Sequence, residues 1–136
     1  MWGKINMIKQ NKSSEIKNYI KKNSNVVLLD VRTENEWTSI GKPNAEDLNS
    51  KTYFVTVSPD LSNWQVPDPN FVENVKKYIN KDKTILVMCA AGGRSMIAAN
   101  LLEAEGYTTL NISDGYSGNG QDPGWKNSGL PSIIDN

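Results

Sequence analysis

The residues best placed to do chemistry lie in one short stretch, Cys89-Ala90-Ala91-Gly92-Gly93-Arg94-Ser95, which follows the apolar run Thr84 to Met88. Small residues and paired glycines let the backbone curl so that several N–H groups converge on one centre. A helix directly after the curl would add unpaired N–H groups and the positive end of its dipole. Such a cradle favours the thiolate form of a cysteine at its mouth. It also suits an anionic substrate, or a persulfide anion built on the sulfur. A lone cysteine at the end of a buried strand is ordinarily just a small hydrophobe. The Gly-Gly-Arg-Ser sequel argues otherwise here, because glycines cost conformational entropy that a plain strand–helix joint need not spend.

The missing residue types narrow the reaction. The 136-residue chain has no histidine, which excludes Cys–His and Ser–His–Asp pairs and imidazole zinc ligands. Cys89 is the only cysteine, so no internal disulfide and no multi-thiolate metal site can form. The nucleophile must therefore be activated by its surroundings, which suits a thiolate and not a serine. Two chemistries use a cysteine in a backbone cradle ending in arginine: phosphate-ester hydrolysis and sulfur transfer.

Only Arg32 and Arg94 stand among thirteen lysines, and each follows closely on a strand-like run. In such a lysine-rich chain, arginine is expected where its planar fork is needed. Asp30 and Arg32 have two readings, as contacts to substrate at a strand end or as structural supports. The structural reading is favoured, with Arg32 pairing a nearby carboxylate such as Glu36 and pinning the loop. Trp37, Trp64 and Trp125 are read as packing residues.

These side chains need a scaffold that brings them together. Lys4 to Ile8 is a weak edge strand, and Ser13 or Ser14 can cap a helix bearing Ile16, Tyr19 and Ile20. Val26 to Asp30 and Thr84 to Met88 are apolar runs of the kind buried on both faces of a parallel sheet. Glu34 to Thr38 reads as a helical turn, Tyr53 to Val57 and Thr108 to Ile112 as strands. A helix opens near Asp68 to Asn70, with Asn70 and Glu73 as a loose capping box. Another runs from Arg94 to Glu105 and is stopped by Gly106. The alternation predicts an α/β fold layered around a mainly parallel sheet. Ligands of such sheets bind outside the carboxyl ends of the strands, where Asp30 and Cys89 both lie.

The length suits one domain over residues 1–136. Fifteen basic residues balance fifteen acidic ones, so no global field steers nucleic acid or an anionic membrane, and neither is expected as a partner. No apolar run approaches the about 20 residues of a membrane span. Met1 to Gln10 lacks the long apolar stretch of a secretory signal, so a cytoplasmic location is expected.

Three segments carry a resemblance to a known family. Cys89 to Ser95 resembles the Cys-x-x-Gly-x-Arg-Ser active-site loop of single-domain rhodanese-like proteins. Upstream, Leu28 to Trp37 is similar to their Asp-Val-Arg segment with its Glu-aromatic sequel. Downstream, Gly124-Trp125-Lys126 and Gly129-Leu130-Pro131 resemble the C-terminal Gly-Trp and Gly-Leu-Pro. The resemblance implies five strands in the sheet, with helices on both faces. It also implies a sulfurtransferase in which Cys89 takes sulfane sulfur from thiosulfate or a persulfide donor and holds it as a persulfide. A thiol or protein acceptor then removes it. Backbone N–H groups of Ala90, Ala91, Gly92, Gly93, Arg94 and Ser95 would hold the persulfide, and Arg94 would favour small anionic donors. The resemblance implies no metal and no organic cofactor.

A redox- or persulfide-sensing module on the same fold is the second reading. A cysteine phosphatase or arsenate reductase is the third. Against that third reading, four residues separate Cys89 from Arg94, one fewer than in related phosphatases. Ala90 and Ala91 bring no charge, where some relatives place an arginine or lysine after the cysteine, and this predicts weak use of doubly charged thiosulfate. Ile40-Gly41-Lys42-Pro43-Asn44 replaces a histidine-containing segment of many relatives. The polar connections 58–70 and 113–124 are expected to be tolerated surface insertions.

Overall fold

A computed structural model describes residues 7–134. Five parallel strands form the central sheet in the order β1 (Lys9–Asn11), β6 (Thr108–Ile112), β5 (Thr84–Met88), β2 (Val26–Asp30) and β4 (Thr52–Phe54). The central strands are the continuous apolar runs of the sequence, because successive side chains of a strand point to opposite faces and here both faces are covered. Val27, Leu29, Ile85, Val87 and Cys89 join one core, under α3 (Phe71–Lys76) and α4 (Gly93–Ala104). Val26, Leu28, Leu86, Met88 and Ile112 join the other, under α1 (Ile16–Lys22) with Tyr116 and Trp125. Each fully buried aliphatic side chain in these layers contributes about 1.5–3 kcal/mol.

α2 (Glu34–Ser39) follows β2, and β3 (Lys42–Pro43) pairs antiparallel with β7 (Ser132–Ile133) in a small separate ribbon. Trp125 closes the ribbon's base by donating its indole N–H to the Pro131 carbonyl at 2.7 Å.

Several boundaries differ from the sequence expectations. Of the expected edge strand Lys4 to Ile8, Lys4 to Asn6 lie outside the described residues and Met7 and Ile8 precede the strand, which runs Lys9–Asn11. Its polar Lys-Gln-Asn sequence gives no apolar alternation to read. Neither Ser13 nor Ser14 caps α1 through its side chain: Ser13 sits in a short 3-10 turn with its hydroxyl on the Asp114 carboxylate at 2.8 Å. The expected Asn70–Glu73 box does not form, since Asp68 takes the Asn70 N–H at 2.8 Å and Glu73 turns to Lys76. β4 stops at Phe54, because β2 beside it ends at Asp30, although the Val55 and Val57 N–H groups still reach the Asp30 and Val31 carbonyls.

Candidate active site

Asp30 and Met88 are register partners at the carboxyl ends of β2 and β5, so Cys89 emerges beside the chain leaving Asp30. From Cys89 the backbone curls once before α4 begins at Gly93. Gly92 makes the turn with φ 107°, in the left-handed region that favours glycine. It also has no room for a side chain: a Cβ there would lie 2.3 Å from the Ser113 carbonyl oxygen. The Gly92 N–H donates to the Cys89 Sγ at 3.0 Å, and the Ser95 hydroxyl lies 3.3 Å from the same sulfur. Cys89 is 1% exposed, at the floor of a pocket of about 200 Å³ lined by Trp64, Ala90, Ala91, Gly93 and Arg94.

The curl is held from behind. Tyr116 N–H donates to the Cys89 carbonyl at 2.8 Å and Ser117 N–H to the Ala90 carbonyl at 2.9 Å. In a planar trans peptide the N–H opposes its carbonyl. The N–H groups of Ala90 and Ala91 therefore point away from the 113–118 segment, and neither has a hydrogen-bond partner among the described residues. Gly115 (φ 60°) permits this approach, because a Cβ there would lie 2.5 Å from the Cys89 and Ala90 carbonyl groups. Segment 113–124 is thus no simple surface insertion. Its first residues form the rear wall of the cysteine loop.

Arg94 and Arg32 take different partners from those expected. Arg94 makes two parallel bonds to Glu36, at 2.7 and 2.8 Å, in a pair whose side chains are 9% and 12% exposed. Glu36 in turn accepts the Thr33 N–H and hydroxyl at 3.1 and 3.0 Å, completing a capping box that opens α2. Burial opposes the Glu36 charge, but Arg94 and Thr33 outweigh it and hold the carboxyl below its ordinary range. Burial likewise opposes the Arg94 charge, and the Glu36 bonds override it and raise the guanidinium further. Arg94, expected to favour small anionic donors, lines the pocket while paired with the Glu36 carboxylate. Its charge is matched by Glu36, and its fork fastens the first turn of α4 to α2.

Arg32 pairs with Asp30 and not with Glu36. Its Nη2 lies 2.9 Å from Asp30 Oδ2 and 2.8 Å from the Gly41 carbonyl, and both side chains are fully buried. Burial raises the Asp30 carboxyl above its ordinary range, with Arg32 pulling against that shift. The guanidinium stacks 4.2 Å from the centre of the Tyr116 ring. Neither residue lines the pocket of Cys89. Arg32 instead fixes Tyr116, whose N–H holds the Cys89 carbonyl, so the supporting role expected for the pair is the one the geometry allows.

Two participants escaped the sequence reading. Glu36 was assigned to the wrong arginine, although Thr33-x-x-Glu36 is a legible capping box. Trp64, read as packing, lines the pocket: its ring edge lies 3.3 Å from the point where a Cβ on residue 93 would sit. Trp37 and Trp125 do pack, the former edge-on to Phe54 with ring centres 5.1 Å apart, the latter fully buried. A broader cleft of about 670 Å³ between α2 and residues 59–61 contains no cysteine. Among the described residues no helix is long and apolar enough to cross a membrane.

A five-stranded parallel sheet with a cysteine loop between a central strand and a helix defines a class of domain, and comparison with known proteins identifies it. Residues 13–120 match the rhodanese-like domain, and the chain belongs to that family. An uncharacterised protein of Rickettsia prowazekii is 40% identical over 122 residues, covering 88% of this chain and 92% of that one. A chloroplastic thiosulfate sulfurtransferase of Arabidopsis thaliana is 31% identical over 108 residues, covering 76% of this chain and 77% of that one. The crystal structure of Rv0390 from M. tuberculosis superposes with a TM-score of 0.80 at 25% identity, over 96% of this chain and all of that one.

Proposed function

We propose that this protein transfers sulfane sulfur from thiosulfate or a persulfide donor to a thiol or protein acceptor, through a persulfide on Cys89. Family membership supports sulfurtransferase-type activity, and the observation that carries the mechanism is the surround of the Cys89 sulfur. Gly92 N–H at 3.0 Å and Ser95 hydroxyl at 3.3 Å meet the sulfur, and the unpartnered N–H groups of Ala90 and Ala91 add free donors to the same loop for charge developing there. The Cys89 thiolate attacks the outer sulfur of the donor. The donor's S–S bond breaks and its electron pair leaves with the remainder, as sulfite when thiosulfate is used. The added sulfur keeps one negative charge as Cys89–S–S⁻ and lies against the loop N–H groups. A nucleophile such as cyanide then takes that terminal sulfur, leaving as thiocyanate and restoring the thiolate.

The alternatives draw less support. A sensor reading draws only on the lone cysteine, whereas family membership supports sulfurtransferase-type activity. Phosphate-ester hydrolysis needs an acid for the leaving oxygen, yet no carboxylate lines the pocket and Glu36 is committed to Arg94.

Thiocyanate formation from a sulfur donor and cyanide tests the proposal. Turnover by the native protein, abolished in Cys89→Ser, is the expected result. Equal turnover in that variant would overturn the assignment.

A further inference from the structure

We infer that Trp64 selects the donor, and that the pocket is built for sulfane sulfur carried on an apolar body with a single charge, not for the thiosulfate dianion. The inference rests on the sulfur-transfer reading and names its substrate class.

Four features carry it. The mouth over Cys89 is formed by the Trp64 ring, the methyl groups of Ala90 and Ala91, and Gly93. Among the described residues the one charged group lining it, Arg94, is matched by Glu36 through bonds of 2.7 and 2.8 Å. An anion entering this pocket exchanges water for a few loop N–H donors among mostly apolar side chains, and the desolvation cost rises with the square of the charge, roughly fourfold from a monoanion to a dianion. An aromatic or aliphatic body beside the sulfur recovers free energy by covering the indole.

Trp64 is also placed and not merely nearby. Its carbonyl accepts the Ser58 hydroxyl at 2.6 Å, and Asp60 caps the preceding 3-10 turn (Leu61–Asn63) through the Ser62 N–H at 3.0 Å. Val66 N–H reaches the Asn63 carbonyl, and Asp68 N–H reaches Val57, so both ends of the segment are tied down. The absent side chain of Gly93 lets the indole approach the loop. Yet Trp64 is 39% exposed, which leaves surface for a donor to cover.

Benzenethiosulfonate and thiosulfate make the comparison. Each gives up its outer sulfur to the Cys89 thiolate as its S–S bond breaks, the first releasing benzenesulfinate and the second sulfite, with the bond's electron pair. In the native protein kcat/KM for benzenethiosulfonate is expected to exceed that for thiosulfate by up to about tenfold, the worth of one good aromatic contact. Trp64→Ala should erase most of that preference through benzenethiosulfonate alone, and Trp64→Phe should keep it. Equal loss toward both donors in Trp64→Ala, or thiosulfate as the better donor of the native protein, would overturn the inference while leaving sulfur transfer intact. If neither donor adds sulfur to Cys89 of the native protein, read by intact mass, the sulfur-transfer reading falls and the inference with it.

Discussion

At Gly92 one backbone angle and one carbonyl oxygen decide whether the cysteine loop can form. The φ of 107° disfavours any side chain, and the 2.3 Å approach of a Cβ to the Ser113 carbonyl forbids even a methyl group without a shift of β6's exit. Gly92→Ala is therefore expected to cost about 1–3 kcal/mol of stability. It should also misplace the N–H that meets the Cys89 sulfur. Urea unfolding and the rate of sulfur loading would both register the change; unaltered loading would show that this N–H is dispensable. This requirement was legible in the sequence, because paired glycines between an apolar run and a helix have few other uses. The partner of each arginine was not. Asp30, Glu34 and Glu36 all lie near Arg32 in sequence, and only the curl of the chain after β2 turns Asp30 back onto Arg32 and leaves Glu36 for Arg94.

Among elements, α2 shows how a short helix serves the site without touching substrate. Thr33 caps it, the capping carboxylate is Glu36, and the same carboxylate grips Arg94 in the first turn of α4. Glu36→Gln should cost about 1.5–3 kcal/mol at neutral pH, the range for hydrogen bonds to charged groups. The sign follows from the lowered native value of Glu36. Its contribution is present above the ordinary glutamate value of 4.5 and is lost as pH falls through the lower folded-state value. The native and variant stabilities should therefore converge in acid, as measured by denaturant unfolding across pH. A gap that persists or widens in acid would show that the pair is not what α2 supplies. The central strands β2, β5 and β6 were legible from their apolar runs. The edge strand β1 and the β3–β7 ribbon were not, since such short polar pairings are set by the neighbours they meet and not by their own pattern.

Over the whole molecule, segments about a hundred residues apart in sequence meet behind the cysteine loop. The buried Asp114 carboxylate accepts the Ser13 N–H and hydroxyl at 2.8 Å each, and the Gly124 N–H at 2.9 Å. It thereby anchors the segment that carries Tyr116 and Ser117 against the Cys89 and Ala90 carbonyls. Asp114→Ala leaves those donors buried without a partner, and a loss of roughly 2–4 kcal/mol is expected in urea unfolding. Sulfur loading should slow with it, because the rear wall of the loop is loosened. A polar, glycine-rich stretch reads as surface loop in sequence, since composition reports the absence of strand and helix but not what the loop is packed beneath.

The central claim is that Cys89 carries sulfur. Its most direct test is the intact mass of the native protein and of Cys89→Ser after brief exposure to one equivalent of a sulfur donor, then to cyanide. The account predicts that the native protein gains the mass of one sulfur atom, mapped to the peptide holding Cys89 and released as thiocyanate, while the variant gains nothing. A native protein that takes no sulfur from any donor, yet gains oxygen on Cys89 with peroxide, would contradict it and mark the domain as a redox sensor.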